Sequence, residues 1–153
     1  MLYVLLSAGP RRYALAARSV VEVVPLLRLE PLPGAPPSVR GLFSYRGTPV
    51  PAVDVSLLAG AGAVPERMST RIVVVSVEEP GGRRRLAGLL ATSVTETVTR
   101  SASDAPPAGL RLPEAPWIES AFVVGDEVVP CVRVEAFLPA EVRSLVDAAE
   151  GAA

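Results

Sequence analysis

The sequence predicts an all-β fold: two small five-stranded β-barrels followed by a short C-terminal α-helix. Three observations carry that expectation. Short runs rich in Val, Leu and Ile recur along the chain, broken by Gly- and Pro-containing turns. The runs repeat in the same order in the two halves. After Pro139, the residues Val142, Leu145, Val146 and Ala149 fall on one face of a helix.

Taken in order, Leu2 to Ser7 and Arg12 to Ala17 flank Gly9-Pro10 and read as a hairpin. Val20 to Leu27 is a further β-branched run, with Ser19 available to cap a short turn before it. Glu30 to Pro37, with four prolines and one glycine, is a crossing loop. Arg40 to Leu58 reads as two strands folded about Arg46-Gly47, because Gly47 accepts the positive φ of a tight turn. In the first strand Leu42 and Ser44 share one face and Phe43 and Tyr45 the other. In the second, Val50, Ala52 and Asp54 alternate with Pro51, Val53 and Val55. Prolines remove ladder donors, so Pro49 and Pro51 argue for an edge strand or a bulge.

A helical turn at Leu57-Leu58 and a small-residue linker, Ala59 to Thr70, lead into the strand Arg71 to Val77. Pro80-Gly81-Gly82 turns the chain; Leu86 to Ala91 returns and Val94 to Thr99 continues. Ser101 to Pro116 is a long proline-rich loop. Trp117 to Val124 and Val128 to Val134 form a last hairpin about Gly125-Asp126, and Pro139 suits the first turn of the closing helix.

Three segments recur in order. Leu2-Tyr-Val-Leu-Leu-Ser7 matches Arg71-Ile-Val-Val-Val-Ser76. Ser19-Val-Val-Glu-Val-Val24 matches Ser93-Val-Thr-Glu-Thr-Val98, and Val50-Pro-Ala-Val-Asp-Val55 matches Val129-Pro-Cys-Val-Arg-Val134. Two copies of one unit, each with the strands of a small closed barrel, predict sub-barrels over approximately 1–60 and 70–138, with strand exchange between them left open. The helix and tail occupy 140–153.

Composition narrows the function. Half the residues are hydrophobic and mean hydropathy is +0.39, enough to fill a core and leave apolar docking surface. A net charge of −1 without a basic stripe argues against nucleic acid. With no histidine and a single cysteine, Cys131, there is no disulfide and no Cys/His metal site. The apolar start lacks the basic region of a signal peptide, and no apolar run reaches the about 18 residues of a membrane span. An enzyme needs a general base beside a partner group; Asp54 and Glu22 stand alone in sequence, and no nucleophile elbow is present. A small-ligand barrel is the other alternative, but five-stranded barrels are filled by their own side chains. Trp117 and Cys131 read as core, Cys131 because it takes the place of Ala52 in the other copy.

The segment Val-x-Glu-Val, the proline loop, Val39-Arg-Gly41 and the motif through Arg46-Gly47, Pro51, Val53 and Asp54 resemble the CheW family of bacterial chemotaxis adaptors. The similarity runs from Leu2 to Leu138, placing a CheW-like domain over 1–139. Tyr45 stands where the family usually carries leucine, and Ser44 where asparagine is common. The resemblance implies two intertwined SH3-like barrels and a cytoplasmic, non-catalytic adaptor without cofactor or metal. Such an adaptor joins the cytoplasmic tip of a chemoreceptor to the regulatory domain of a CheA-type histidine kinase. Its output is flagellar chemotaxis or another chemosensory pathway, such as surface motility or second-messenger control. It would reach membrane receptor arrays through its partners, without inserting into the membrane.

On that resemblance the receptor-facing residues are Val20, Glu22, Arg46 and Gly47, and the kinase-facing residues are Leu26, Leu27, Leu29 and Asp54. Each has a second reading. Arg46 contacts the receptor or is a turn arginine paired with Glu22 or Asp54. Glu22 is a docking carboxylate or the bidentate partner that holds the Arg46 guanidinium. Asp54 contacts the kinase or bonds backbone donors near the proline loop. Val20 and the leucines are core or docking floor, and Gly47 serves the turn itself. The closing helix docks inward or offers Val142, Leu145 and Val146 to a partner.

Overall fold

A computed structural model describes residues 1–79, 81–101, 116–137 and 140–151. Pro80, most of the expected 101–116 loop, Pro139 and the Ala149 side chain lie outside the described residues. The strands are β1 Leu2–Ala8, β2 Arg11–Ala16, β3 Val20–Pro25, β4 Val39–Tyr45 and β5 Thr48–Asp54. They continue with β6 Arg71–Glu78, β7 Arg84–Ala91, β8 Ser93–Thr99, β9 Ile118–Val124 and β10 Glu127–Val132. Helix α1 is the single turn Val55–Leu58, and α2 runs Ala140–Gly151.

The strands make two five-stranded sheets, ordered β3-β6-β7-β5-β4 and β8-β1-β2-β10-β9. Each position in the first order is filled in the second by its repeat partner: β3 by β8, β6 by β1, β7 by β2, β5 by β10 and β4 by β9. The pairing departs from the expected division at 1–60 and 70–138. One barrel, here the central one, is the continuous segment β3 to β7; the other, the flanking barrel, joins β1 and β2 to β8, β9 and β10. The first hairpin thus completes the sheet of the second copy, and the exchange left open by the sequence is present in the strand order.

Burial follows the sequence runs. Ile72 to Val75 and Ala87 to Ala91 are buried at every position, as expected for strands covered on both faces. Gly88 is required there, since an added Cβ would lie 2.6 Å from Phe43 Cε1 and 2.7 Å from Ile72 Cγ2. The main core draws Leu6, Tyr13 and Leu15 from the flanking barrel together with Phe43, Val53 and Leu89 from the central one. Trp117 fills the seam, its ring 5.8 Å from Tyr13 and 6.2 Å from Phe137. A smaller cluster of Leu5, Ala14, Phe122, Val129 and Cys131 lies within the flanking barrel.

The proline expectation is corrected. β5 is interior, between β4 and β7. Leu42 exchanges both backbone hydrogen bonds with Glu30 in the crossing loop, at 2.8 and 2.7 Å, so its polar groups face away from β5. Its pair with Pro51 is therefore a non-hydrogen-bonded one, and so is the Ser44–Pro49 pair two residues on. The donors the prolines lack would point toward β7, which pairs with β5 only from Ala52 to Asp54. A bulge is present, but in β4, between Val39 and Gly41. Gly41 permits it: φ is +140°, and a Cβ would lie 2.4 Å from the Glu30 carbonyl oxygen.

The closing helix docks inward. Val142 and Val146 are buried, and Leu145 covers Gly34 of the crossing loop. Arg85, 8% exposed at its side chain, ties the helix down by pairing with Glu79 and with Asp147 at 2.9 Å. Among the described residues no helix is long and apolar enough to cross a membrane.

Candidate docking surface

The two-residue turn between β4 and β5 is built by Arg46 and Gly47, with φ of +50° and +81°, the signature of a type I′ hairpin. Arg46 is the one described non-glycine residue with positive φ, a placement that costs about 1 kcal/mol. Its side chain is 76% exposed and stacks over the Tyr45 ring, 5.2 Å from the centroid. Arg46 Nη2 donates to Glu22 Oε2 at 3.3 Å, and the Tyr45 hydroxyl donates to the same oxygen at 2.5 Å. The Glu22 contact lifts the Tyr45 phenol above its ordinary pKa. The contact uses one guanidinium nitrogen, not the bidentate geometry expected.

These bonds join strands at opposite ends of the sheet order, β3 and β4, and so help close the central barrel. Arg100 does the same in the flanking barrel: from the end of β8 it donates to the Val123 carbonyl of β9 at 3.0 Å and lies over Phe122.

The structure therefore brings Glu22, Arg46 and Gly47 together and adds Tyr45. It separates them from Val20, which is half-buried against the main core. The apolar residues that face outward on β3 are its neighbours Val21, 46% exposed, and Val23, 40% exposed. Sequence alternation did not single them out, but the second copy carries the missing signal. β8 keeps Val94, Glu96 and Val98 where β3 has Val20, Glu22 and Val24, and puts Thr95 and Thr97 where β3 has Val21 and Val23. The fold accepts hydroxyls at those outward positions; β3 has methyls.

The kinase-facing set divides. Leu26 and Leu29 are half-buried and pack on the main core, leaving Leu27, 37% exposed, as the outward residue. Asp54, placed in the same set, is fully buried, in keeping with the structural side of its two readings. Its carboxylate accepts from Leu57 N at 3.1 Å, Val64 N at 2.9 Å and Arg40 Nη1 at 2.9 Å, capping α1 and pinning the linker. A second exposed apolar pair lies on the other barrel: Val123 and Val128 face each other across β9 and β10, 57% and 65% exposed.

Between the barrels a cleft of about 370 Å³ is lined by Arg11, Tyr13, Leu58 to Gly60, Trp117, Ile118 and Pro130. None of the expected receptor- or kinase-facing residues lines it. Cys131 is fully buried, and burial pushes its thiol up to about 12, the behaviour of a core residue and not of a nucleophile.

Residues 2–142 match the family model described as CheW-like domain. The chain is 26% identical over 135 residues to the chemotaxis protein CheW of Helicobacter pylori, covering 85% of this chain and 76% of that protein. It also resembles the crystal structure of the scaffolding protein TtCheW from Thermoanaerobacter tengcongensis, with a TM-score of 0.76 and 21% identity over 92% of this chain and 89% of that one. The exchanged pair of SH3-like barrels and the match over nearly the whole sequence lead to one conclusion: the chain belongs to the CheW-like family, whose members are scaffold or adaptor proteins and not enzymes.

Proposed function

We propose that this chain is a cytoplasmic adaptor that couples the tip of a chemoreceptor to a CheA-type histidine kinase within a chemosensory array. The receptor tip docks on the outer face of β3, beside the Arg46-Gly47 turn. The observation that supports this most directly is the contrast between Val21 and Val23 on β3 and Thr95 and Thr97 at the equivalent places on β8. Exposed methyls that the fold does not require are surface for a partner. Affinity comes from that apolar area, at roughly 25 cal/mol per Å² before association costs, and register from Glu22 and Arg46. The adaptor transmits a receptor state by holding the kinase in one of two arrangements.

The kinase regulatory domain docks on the side of Leu27. A second reading places it on Val123 and Val128, favoured by their greater exposure. Pull-downs separate the surfaces. Arg46→Glu should lose the receptor tip and keep the kinase; the reverse result overturns the receptor assignment. Loss of the kinase by Leu27→Asp supports the first kinase surface, and loss by Val128→Asp the second. Co-purification from a strain lacking flagella distinguishes a flagellar output from surface motility or second-messenger control.

A further inference from the structure

Tyr45 ties the two end strands of the central sheet by a hydroxyl–carboxylate bond, where the flanking barrel uses Arg100 and a backbone carbonyl. The Tyr45 ring belongs to the main core, and the residue is 7% exposed. Its hydroxyl nevertheless reaches Glu22 on the far edge of the sheet. At the equivalent position of the flanking barrel, Val124 ends β9 without a hydroxyl, and the equivalent acid, Glu96, pairs with Arg12 at 2.9 Å. The second copy thus closes without this bond. In the first copy Tyr45 and Arg46 share one oxygen of Glu22, while Glu22 Oε1 and Arg46 Nε and Nη1 take no partner among the described residues.

We propose that Tyr45 is a positioning residue that sets the charge preference of the docking surface, a role that rests on the receptor reading above. By holding Glu22 Oε2 against the barrel, its hydroxyl keeps the carboxylate from forming a two-point pair with Arg46. The exposed N–H groups of Arg46 are then left for a carboxylate of the incoming partner, while the exposed Val21 and Val23 flank Glu22 in sequence. The partner's contact face is accordingly apolar with one acidic side chain. Without the hydroxyl, Glu22 turns outward, takes the guanidinium by both oxygens and competes with that acid.

The test uses the full chain and a purified soluble fragment of a chemoreceptor cytoplasmic tip from the same genome. Binding is measured at low and at physiological salt. Tyr45→Phe is expected to weaken binding about tenfold and to flatten its salt dependence. Adding Glu22→Gln to Tyr45→Phe is expected to recover most of the loss, because a neutral amide no longer competes for Arg46. A merely structural hydroxyl would show no such recovery. Tyr45→Phe binding as well as wild type, or remaining weak in the double variant, overturns the positioning role and leaves the docking surface standing. A wild-type chain that fails to bind the fragment overturns the docking reading itself, and this inference with it.

Discussion

Asp54 and Arg40 form an ion pair at 2.9 Å in which the carboxylate is wholly buried and the guanidinium side chain 21% exposed. The same Arg40 reaches the Val64 carbonyl at 3.2 Å and Glu66 at 3.2 Å, so one arginine ties the end of β5 to the linker. Removing the carboxylate leaves a largely buried cation and two orphaned amides. Asp54→Ala is expected to cost about 3–5 kcal/mol. A urea unfolding midpoint that falls with an unchanged slope checks it.

Ser56, two residues after Asp54, carries a buried hydroxyl without a hydrogen-bond partner among the described residues. Gly9, in the first hairpin turn, sits against it: an added Cβ would lie 2.4 Å from Ser56 Oγ. Ser56→Ala is expected to stabilise by about 1 kcal/mol. Gly9→Ala is expected to destabilise, less in the Ser56→Ala background than in wild type. Thermal melts of the four proteins give the coupling.

The outward valines of β3 are predicted to matter to binding and not to folding. Val21→Thr with Val23→Thr copies the sequence already present in β8. Stability should change by less than about 0.5 kcal/mol, while receptor-tip affinity falls about tenfold. Unchanged affinity would remove β3 from the interface.

Acid should loosen the closing helix. The Arg85 guanidinium holds Asp147 below its ordinary 3.8. A depressed folded pKa contributes stability above pH 3.8 that is lost as pH falls through the folded value. Asp147→Asn should therefore reduce stability at neutral pH and flatten its decline on the acid side. Trp117 fluorescence monitors the transition, since that ring stacks on Phe137 just before the helix.

The alkaline limb runs the other way. The Cys131 thiol, raised from 9.0 to about 12 by burial, keeps its proton in the folded state while the unfolded thiol gives it up. That contribution is full below pH 9 and is lost toward pH 12. Native protein should resist thiol reagents at pH 8 and react once unfolded; labelling with and without urea checks this.

Much of this fold was legible in the sequence, for identifiable reasons. Period-two alternation marked Leu42 to Tyr45, within the strand Val39–Tyr45, and the turn chemistry of Arg46-Gly47 marked the hairpin tip. The duplication assigned Cys131 to the core because Ala52 occupies the same place. Three features were not legible. Pro49 and Pro51 argued for an edge, because nothing local told that Leu42 gives its backbone to Glu30. The exchange of the first hairpin was hidden because equivalent strands satisfy either partner by pattern alone. On the candidate surface, the motif brought out Glu22, Arg46 and Gly47 but also Asp54, whose carboxylate is buried. Val21 and Val23 went unnoticed because alternation says which residues share a face and not which face meets water.

The strand order also bears on how the chain emerges during synthesis. Strands β3 to β7 are continuous, so the central sheet has all its members once residue 91 has been made. The first hairpin, made earliest, waits for β8 and β10, its neighbours in the finished sheet. Meanwhile the nascent chain offers it a decoy: β3 and β5 are the repeat counterparts of those same neighbours. The hairpin and β6-β7 then contend for a single vacancy, and ribosome-bound intermediates should include a compact, wrongly paired first half that must reopen before the molecule is finished.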